Sequence, residues 1–227
     1  MKAGAPNQTR PDSRNQAGSA LLPVMLLMFL FSAIAIGMVV VVRIEISVAM
    51  RFVQATQALH AADAAVALSL SELRTMGDWT PVLAGAVQSA RSDGIFGGRK
   101  DLPGGGSIAI CCGSSSVAGR LAAESALSGA VPRRTLPWRP FLWAPLAQVL
   151  PGSPLNRLYL VVFVEDDEGE DDGNGSADVN GRVVVRAEVV QPDGLRRAVE
   201  ALIEREPGDP LRGLAPAVRL LRWREVR

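Results

Sequence analysis

The sequence contains few of the residues that build most catalytic and metal sites. Its 227 residues include one histidine, one tyrosine and two cysteines, and the cysteines are the neighbours Cys111 and Cys112. A structural zinc site takes about four such ligands, and a Ser-His-Asp triad takes a histidine beside a serine. This shortage argues against an enzyme.

Excess charge of either sign is also missing. Twenty-four basic residues, of which only Lys2 and Lys100 are lysines, face 23 acidic ones, and the formal net charge is +1. Nucleic-acid binding rests on a basic surface, so we predict no nucleic-acid partner.

Charged residues are absent from Leu21–Val42, an apolar run that begins shortly after the first residue. At about 1.5 Å per helical residue it spans the ~30 Å hydrocarbon core of a bilayer. A secretory signal has its small-residue cleavage site after the apolar core, whereas here Ala17-Gly18-Ser19-Ala20 precedes it. The basic leader, residues 1–18, predicts a single-pass inner-membrane protein with a cytoplasmic N-terminus and a periplasmic remainder.

Helical periodicity continues beyond Val42. No proline occurs between Pro23, where a first helical turn tolerates it, and Pro81. Apolar residues recur at steps of three and four, which predicts one spine helix over 19–76, beginning near Ala20, with Gly77 as its C-cap. His60 is expected to pack near this stripe. The residues predicted to pack on the domain or on other spine helices are Ile44, Val48, Phe52, Leu59 and Val66.

The remainder predicts a periplasmic domain in two parts. Residues 77–157 form an irregular and helical part, with a short helix over Val117–Leu127 and an irregular segment, Pro132–Pro154, that anchors in the core. Residues 158–227 form a small antiparallel sheet. Its predicted strands are 158–164, 182–190 and 196–204, the last with a short helix as the alternative. The predicted fold class is therefore α+β. The predicted core anchors are Trp138, Phe141 and Trp143.

An acidic loop, Glu165–Asp178, separates two of these strands. Its oxygen-bearing residues alternate as in a calcium loop, at Asp172, Asn174, Ser176 and Asp178. An EF-hand would need glycine at Ala177 and glutamate at Val183. The alternatives are a weak Ca²⁺ site and a solvated loop extended by charge repulsion, and we favour the second. No other cofactor is expected.

The adjacent cysteines leave three alternatives open. A trans peptide holds their Cα atoms ~3.8 Å apart, closer than in ordinary disulfides. They could form a bridge with each other, pair with another subunit, or remain two buried thiols in the apolar segment SIAICC. We favour buried thiols.

Taken together, residues 14–80 resemble type IV pilin-like proteins, specifically the PilX-type minor pilins. The likeness is carried by the leader ending in Gly18, by Ser19-Ala20-Leu21-Leu22 opening an apolar helix, and by QALHAADAA over residues 57–65. Asp78-Trp79 after the helix and Asn180-Gly181-Arg182-Val183 after the acidic loop also match this group.

The resemblance implies cleavage between Gly18 and Ser19 by a prepilin peptidase, and assembly with other pilins and minor pilins on an inner-membrane platform. Most pilins carry glutamate at the fifth mature position, where this chain has Pro23. That departure favours a priming or tip subunit over a bulk subunit. The alternatives are a GspK-type pseudopilin of type II secretion, whose larger inserted domain is missing here, and an unprocessed single-pass binding or sensor protein.

Overall fold

The computed structural model describes residues 20–127, 138–153, 155, 157–167, 169, 174–206, 208 and 216–226. The chain divides into two compact units, Met1–Phe52 and Val53–Arg227. The predicted α+β class, a long N-terminal helix with a C-terminal antiparallel sheet, is confirmed. The predicted leader lies outside the described residues.

Helices and strands follow one another in an order close to the predicted one. In chain order they are α1 Leu21–Leu73, α2 Thr80–Leu83, β1 Arg99–Asp101, β2 Ser107–Ala109, α3 Val117–Leu127, β3 Arg139–Pro145, α4 Leu146–Val149, β4 Tyr159–Asp166, β5 Arg182–Val190, β6 Arg196–Glu206 and β7 Ala217–Val226. Strands β3 to β7 form one five-stranded antiparallel meander in chain order, and β1 pairs with β2 in a separate ribbon. Antiparallel neighbours need no crossover connection, so strands that follow one another in the chain can pair directly.

The end of α1 differs from the predicted C-cap. The helix ends at Leu73, and Gly77 lacks the positive φ of a left-handed cap. The backbone N–H of Met76 and the indole N–H of Trp79 instead donate to the Leu73 carbonyl, at 3.1 and 3.0 Å. The prediction was wrong because the Met76 N–H and the indole of Trp79, six residues beyond Leu73, satisfy the helix end that a glycine cap usually closes.

The central strands confirm the sequence pattern. β4 is an interior strand between β3 and β5 and is buried on both faces, which explains its nearly continuous apolar run. β5 pairs with β4 and β6 in regular register, with Val185 opposite both Val164 and Ala201. The strand interpretation of 196–204 is therefore correct. The predicted helix over Val117–Leu127 is also correct.

Both edge strands of the sheet were missed. β3 lies in the segment predicted to be irregular, with Pro140 and Pro145 on a strand whose register shifts between Pro140 and Leu142. Prolines are tolerated at sheet edges and bulges, so they do not exclude this strand. Segment 89–93 covers its outer edge, because the N–H groups of Ser89 and Asp93 donate to the carbonyls of Phe141 and Trp143 at 2.8 and 2.7 Å. The other edge, β7, contains a bulge and three arginines.

The two faces of the sheet contribute to two cores. Val162, Val185 and Ile203 lie in the core that contains the buried residues of α1. Val161 and Phe163 lie in a second core that contains residues of β2 and α3. Side chains alternate between faces along a strand, so one sheet supports both cores.

Candidate functional site

The exposed apolar segment of α1 is the first candidate site. From Leu21 to Phe52 every large apolar side chain is exposed, from 46% at Ile34 to 72% at Phe52. Soluble monomers rarely expose contiguous apolar patches beyond a few hundred Å². Among the described residues, α1 is the one helix long and apolar enough to cross a membrane.

Charges return immediately after the uncharged run. Arg43 and Arg51 lie beside Ile44 and Val48 along a shallow groove on this part of the helix, and Ser47 Oγ donates to the Arg43 carbonyl at 2.8 Å. Of the predicted packing residues, Ile44, Val48 and Phe52 are 58, 61 and 72% exposed. Their packing against other helices stays a prediction.

The C-terminal part of α1 packs on the sheet through small side chains. Leu59 is half-buried and Val66 is 5% exposed, and both belong to the predicted stripe. Alanine at these contacts lets a helix backbone approach its neighbour closely. His60 is exposed, so it does not pack within this chain, and its packing against another helix stays a prediction. The buried positions of the helix are Ala58, Ala61, Ala62, Ala65, Val66, Ser69 and Leu73.

A cluster that we call the helix-end junction follows α1. It consists of Leu73, Gly77, Trp79, Asp178 and Arg205. The Trp79 side chain is fully buried, and the Arg205 guanidinium lies 5.5 Å from its ring centroid, within cation–π range. Arg205 also donates to the Gly77 carbonyl and to the Asp178 carboxylate, the latter at 3.2 Å. The junction therefore links the end of α1 to β6, through Arg205, and to the loop between β4 and β5, through Asp178.

The four residues predicted to bind Ca²⁺ are only partly described. Asp172 lies outside the described residues, and Asn174 Oδ1 accepts the N–H of Ser176 at 3.2 Å in a local turn. Asp178 Oδ1 accepts the N–H of Gly181 at 2.7 Å, while its Oδ2 faces Arg205. Burial raises the pKa of Asp178, against the opposing effects of these two partners. Asp178 thus has a structural role, and the described residues contain no group of three or more acidic, histidine or cysteine side chains that could hold a metal.

An ionic cluster beneath α3 was not predicted. Arg186 on β5 is 5% exposed and donates to Glu200 on β6 at 3.0 Å and to Glu124 on α3 at 2.6 Å. Arg120 on α3 donates to Glu188 on β5 at 2.7 Å. Opposite charges at paired strand positions are the signal that could have revealed it, since Arg186 lies directly opposite Glu200. The cluster fastens α3 to the sheet.

The adjacent cysteines form a disulfide with each other. Cys111 and Cys112 are bridged, with their Cα atoms 3.8 Å apart. The favoured prediction of two buried thiols was wrong, and Cys112 is in fact exposed. The apolar SIAICC pattern ends earlier than expected, because β2 stops at Ala109 and Ile110 is the last buried residue before the turn.

Phe141 and Trp143 on β3, and Trp138 just before it, confirm their predicted role as core anchors. Phe141 and Trp143 are fully buried and Trp138 is half-buried, with its indole N–H donating to Ser125 Oγ at 3.0 Å. Tyr159 Oη lies 3.4 Å from an Asp93 carboxylate oxygen. Burial, with the charge of Asp93, raises the pKa of Tyr159 above its ordinary value.

Comparison with protein families, curated proteins and solved structures finds no match to this chain. Gly18 and Ser19, the predicted processing residues, lie outside the described residues.

Proposed function

We propose that this chain is a minor pilin-like subunit that takes part in assembling a type IV pilus, without catalysis of its own. One observation carries the proposal. The helix α1 has an exposed, uncharged segment, Leu21–Val42, and a later segment in which Ala58, Ala62 and Ala65 are buried in the core of an antiparallel sheet domain. The same helix thus exposes an apolar surface in its first half and forms part of the core of a folded domain in its second half.

The exposed segment requires an apolar environment in every state of the protein. Burying one Val, Leu, Ile, Phe or Met side chain is worth about 1.5–3 kcal/mol, and Leu21–Val42 carries 17 such side chains, all exposed. In the membrane, lipid covers that surface. After assembly, neighbouring helices cover it, and the small residue Gly37 leaves room for close approach. The same face therefore serves both environments.

A priming or tip role fits the absence of an acidic residue in this segment. A carboxylate in lipid needs a partner, and residues 21–42 contain no Asp or Glu that would require one. Pro23 occupies the position where the pilin resemblance leads one to expect glutamate. A subunit without that charge offers no pairing partner to a preceding subunit's new N-terminus, so we infer that it begins or ends the filament.

The proposed location follows from the leader. Lys2, Arg10 and Arg14 favour a cytoplasmic N-terminus, which leaves the sheet domain in the periplasm. The proposed partners are other pilins and minor pilins, the prepilin peptidase and the inner-membrane assembly platform. The rival functions are a GspK-type pseudopilin of type II secretion and an unprocessed single-pass binding or sensor protein.

Processing of the leader tests the proposal against a plain membrane anchor. We expect the mature chain from cells that express the peptidase to begin at Ser19. Gly18→Leu should retain the leader, whereas the matched change Gly37→Leu, at a site where no atom lies within 4 Å of an added Cβ, should not affect cleavage. Intact-mass measurement of each chain decides. A wild-type chain that keeps its leader in the presence of the peptidase would support the anchor instead.

A further inference from the structure

The turn between β2 and α3 holds the only two cysteines of the chain. Cys111 is half-buried and Cys112 is exposed, so Cys112 is the more open of the two residues to a reagent from solution. Cys112 also has a φ of +72°, and it is the one non-glycine residue with positive φ among the described residues. Such a backbone conformation in a residue with a Cβ clusters at functional sites.

This disulfide contributes little as a cross-link. The entropy that a disulfide removes from the unfolded chain grows with the size of the closed loop, and here the loop contains only two residues. The surrounding fold is held by β2 and α3, whose side chains Ile108, Val117 and Leu121 are buried in one core. Stabilisation therefore does not explain the bridge, whereas chemistry at an exposed sulfur does.

We propose that Cys111–Cys112 is a redox-active site that exchanges two electrons with a dithiol. A thiolate of the dithiol attacks Cys112 Sγ, which breaks the bridge, forms a mixed disulfide and releases the Cys111 thiolate. The second thiolate of the dithiol then attacks its own bridged sulfur, closes a disulfide in the reagent and releases the Cys112 thiolate. Both cysteines take up a proton, so the site gains two electrons and two protons while the dithiol is oxidised.

The redox state of this turn is coupled to α3. Ser116 Oγ donates to the Gly113 carbonyl at 2.6 Å and accepts the N–H of Gly119 at 3.0 Å. A Cβ on Gly119 would lie 2.0 Å from the Gly113 oxygen, which shows how closely the turn and helix approach. Arg120 donates to the Ser115 carbonyl at 2.9 Å and also to Glu188. Opening the bridge releases Cys112 from its left-handed conformation and loosens the first turn of α3.

The site is independent of the proposed assembly function, because none of its residues belongs to α1. The test uses the full-length protein in detergent micelles. Folded and urea-unfolded samples are treated with dithiothreitol, and the new thiols are alkylated and located by peptide mass mapping. We expect the folded chain to yield two thiols at a rate similar to that of the unfolded chain. Retention of the disulfide in the folded chain, under conditions that reduce the unfolded one, would overturn the proposal.

Glutathione, a monothiol, identifies the attacked sulfur. We expect its mixed disulfide at Cys112 and not at Cys111, and the reverse would overturn the order of attack. Amide hydrogen exchange then reports the coupling. Reduction should accelerate exchange at Ala118, whose N–H donates to the Ile110 carbonyl at 3.2 Å, and at Gly119, whereas the amides of β5 should not change. Unchanged exchange at these two amides in the reduced chain would show that the site does not act on α3.

The variant Cys112→Ser provides a reference without the bridge. It should show the fast exchange at Ala118 and Gly119 whether or not dithiothreitol is present. Slow exchange in this variant would contradict the coupling. The reduced wild-type chain carries the same information, so the comparison does not depend on the variant folding.

Discussion

Trp79 donates its indole N–H to the carbonyl oxygen of Leu73 across 3.0 Å and is itself fully buried. A residue outside α1 thereby satisfies a carbonyl at the end of the helix. The Arg205 guanidinium in turn lies over the Trp79 ring, 5.5 Å from its centroid. The end of α1 is therefore determined by the fold of the sheet domain as well as by local sequence.

We predict that Trp79→Phe lowers the free energy of unfolding by about 1–2 kcal/mol. The change keeps most of the apolar volume but leaves a buried carbonyl without the indole donor. Urea titration in micelles measures the loss. Trp223→Phe is the matched control, because that indole donates to Asp63 Oδ1 from a residue 44% exposed, and its loss should cost less. Equal losses in the two variants would contradict the assigned cap.

The buried face of α1 predicts that leucine substitution at two alanines of this helix has different effects on stability. Ala62 is fully buried against the sheet, whereas Ala67 lies exposed on the same helix. Ala62→Leu should destabilise the domain by about 1–3 kcal/mol through overpacking, and Ala67→Leu should have little effect. Thermal unfolding followed by circular dichroism compares the two. A tolerated leucine at position 62 would show that the helix does not lie on the sheet at this face.

Tyr159 is the single tyrosine of the chain, so its ionisation can be followed without overlap. Burial and the negative charge of Asp93 raise its pKa, and the folded state therefore binds its proton more tightly than the unfolded state. The resulting stability is fully present below the unfolded pKa of about 10 and is lost as the pH rises beyond it.

The measurement is the ultraviolet absorbance of tyrosinate during alkaline titration. We expect no tyrosinate in the folded chain until it unfolds, whereas the urea-unfolded chain should titrate near its ordinary pKa of about 10. Asp93→Asn should lower the pKa of Tyr159 toward that value while burial keeps it elevated. A folded chain that titrates together with the unfolded one would refute the buried environment.

Asp178 is expected to stabilise the protein without calcium. Asp178→Ala removes the acceptor of the Gly181 N–H and the partner of Arg205, and should lower the free energy of unfolding by about 1–3 kcal/mol. Asp193→Ala, which removes the acceptor of an exposed turn N–H, should cost less. Unfolding is measured with a calcium chelator present. If Asp178→Ala destabilises only when Ca²⁺ is supplied, the residue is a metal ligand after all.

Periodicity and composition were sufficient to predict the most regular helix and strand from the sequence. Steps of three and four predicted α1 to within a few residues, and excess β-branched residues predicted β5 with its observed bounds. These signals are local, so the sequence reveals them without knowledge of the fold.

What depends on tertiary contacts was not predictable in this way. β3 contains two prolines and is a strand because β4 and segment 89–93 flank it. The cluster around Arg186 depends on the register that places β5 beside β6 and α3 above them. Register is set by pairing over the whole sheet, so a single segment does not contain it.

The central claim is that the exposed face of α1 packs against other subunits during assembly. A photo-cross-linking amino acid in place of Phe52, which is 72% exposed, tests it in cells that express the assembly machinery. We predict cross-links to another pilin-like subunit, which disappear when the prepilin peptidase is deleted. The matched control replaces Ile95, 88% exposed on the sheet domain. If the probe at position 52 captures no protein in assembling cells, or captures the same partners without the peptidase, the account is contradicted.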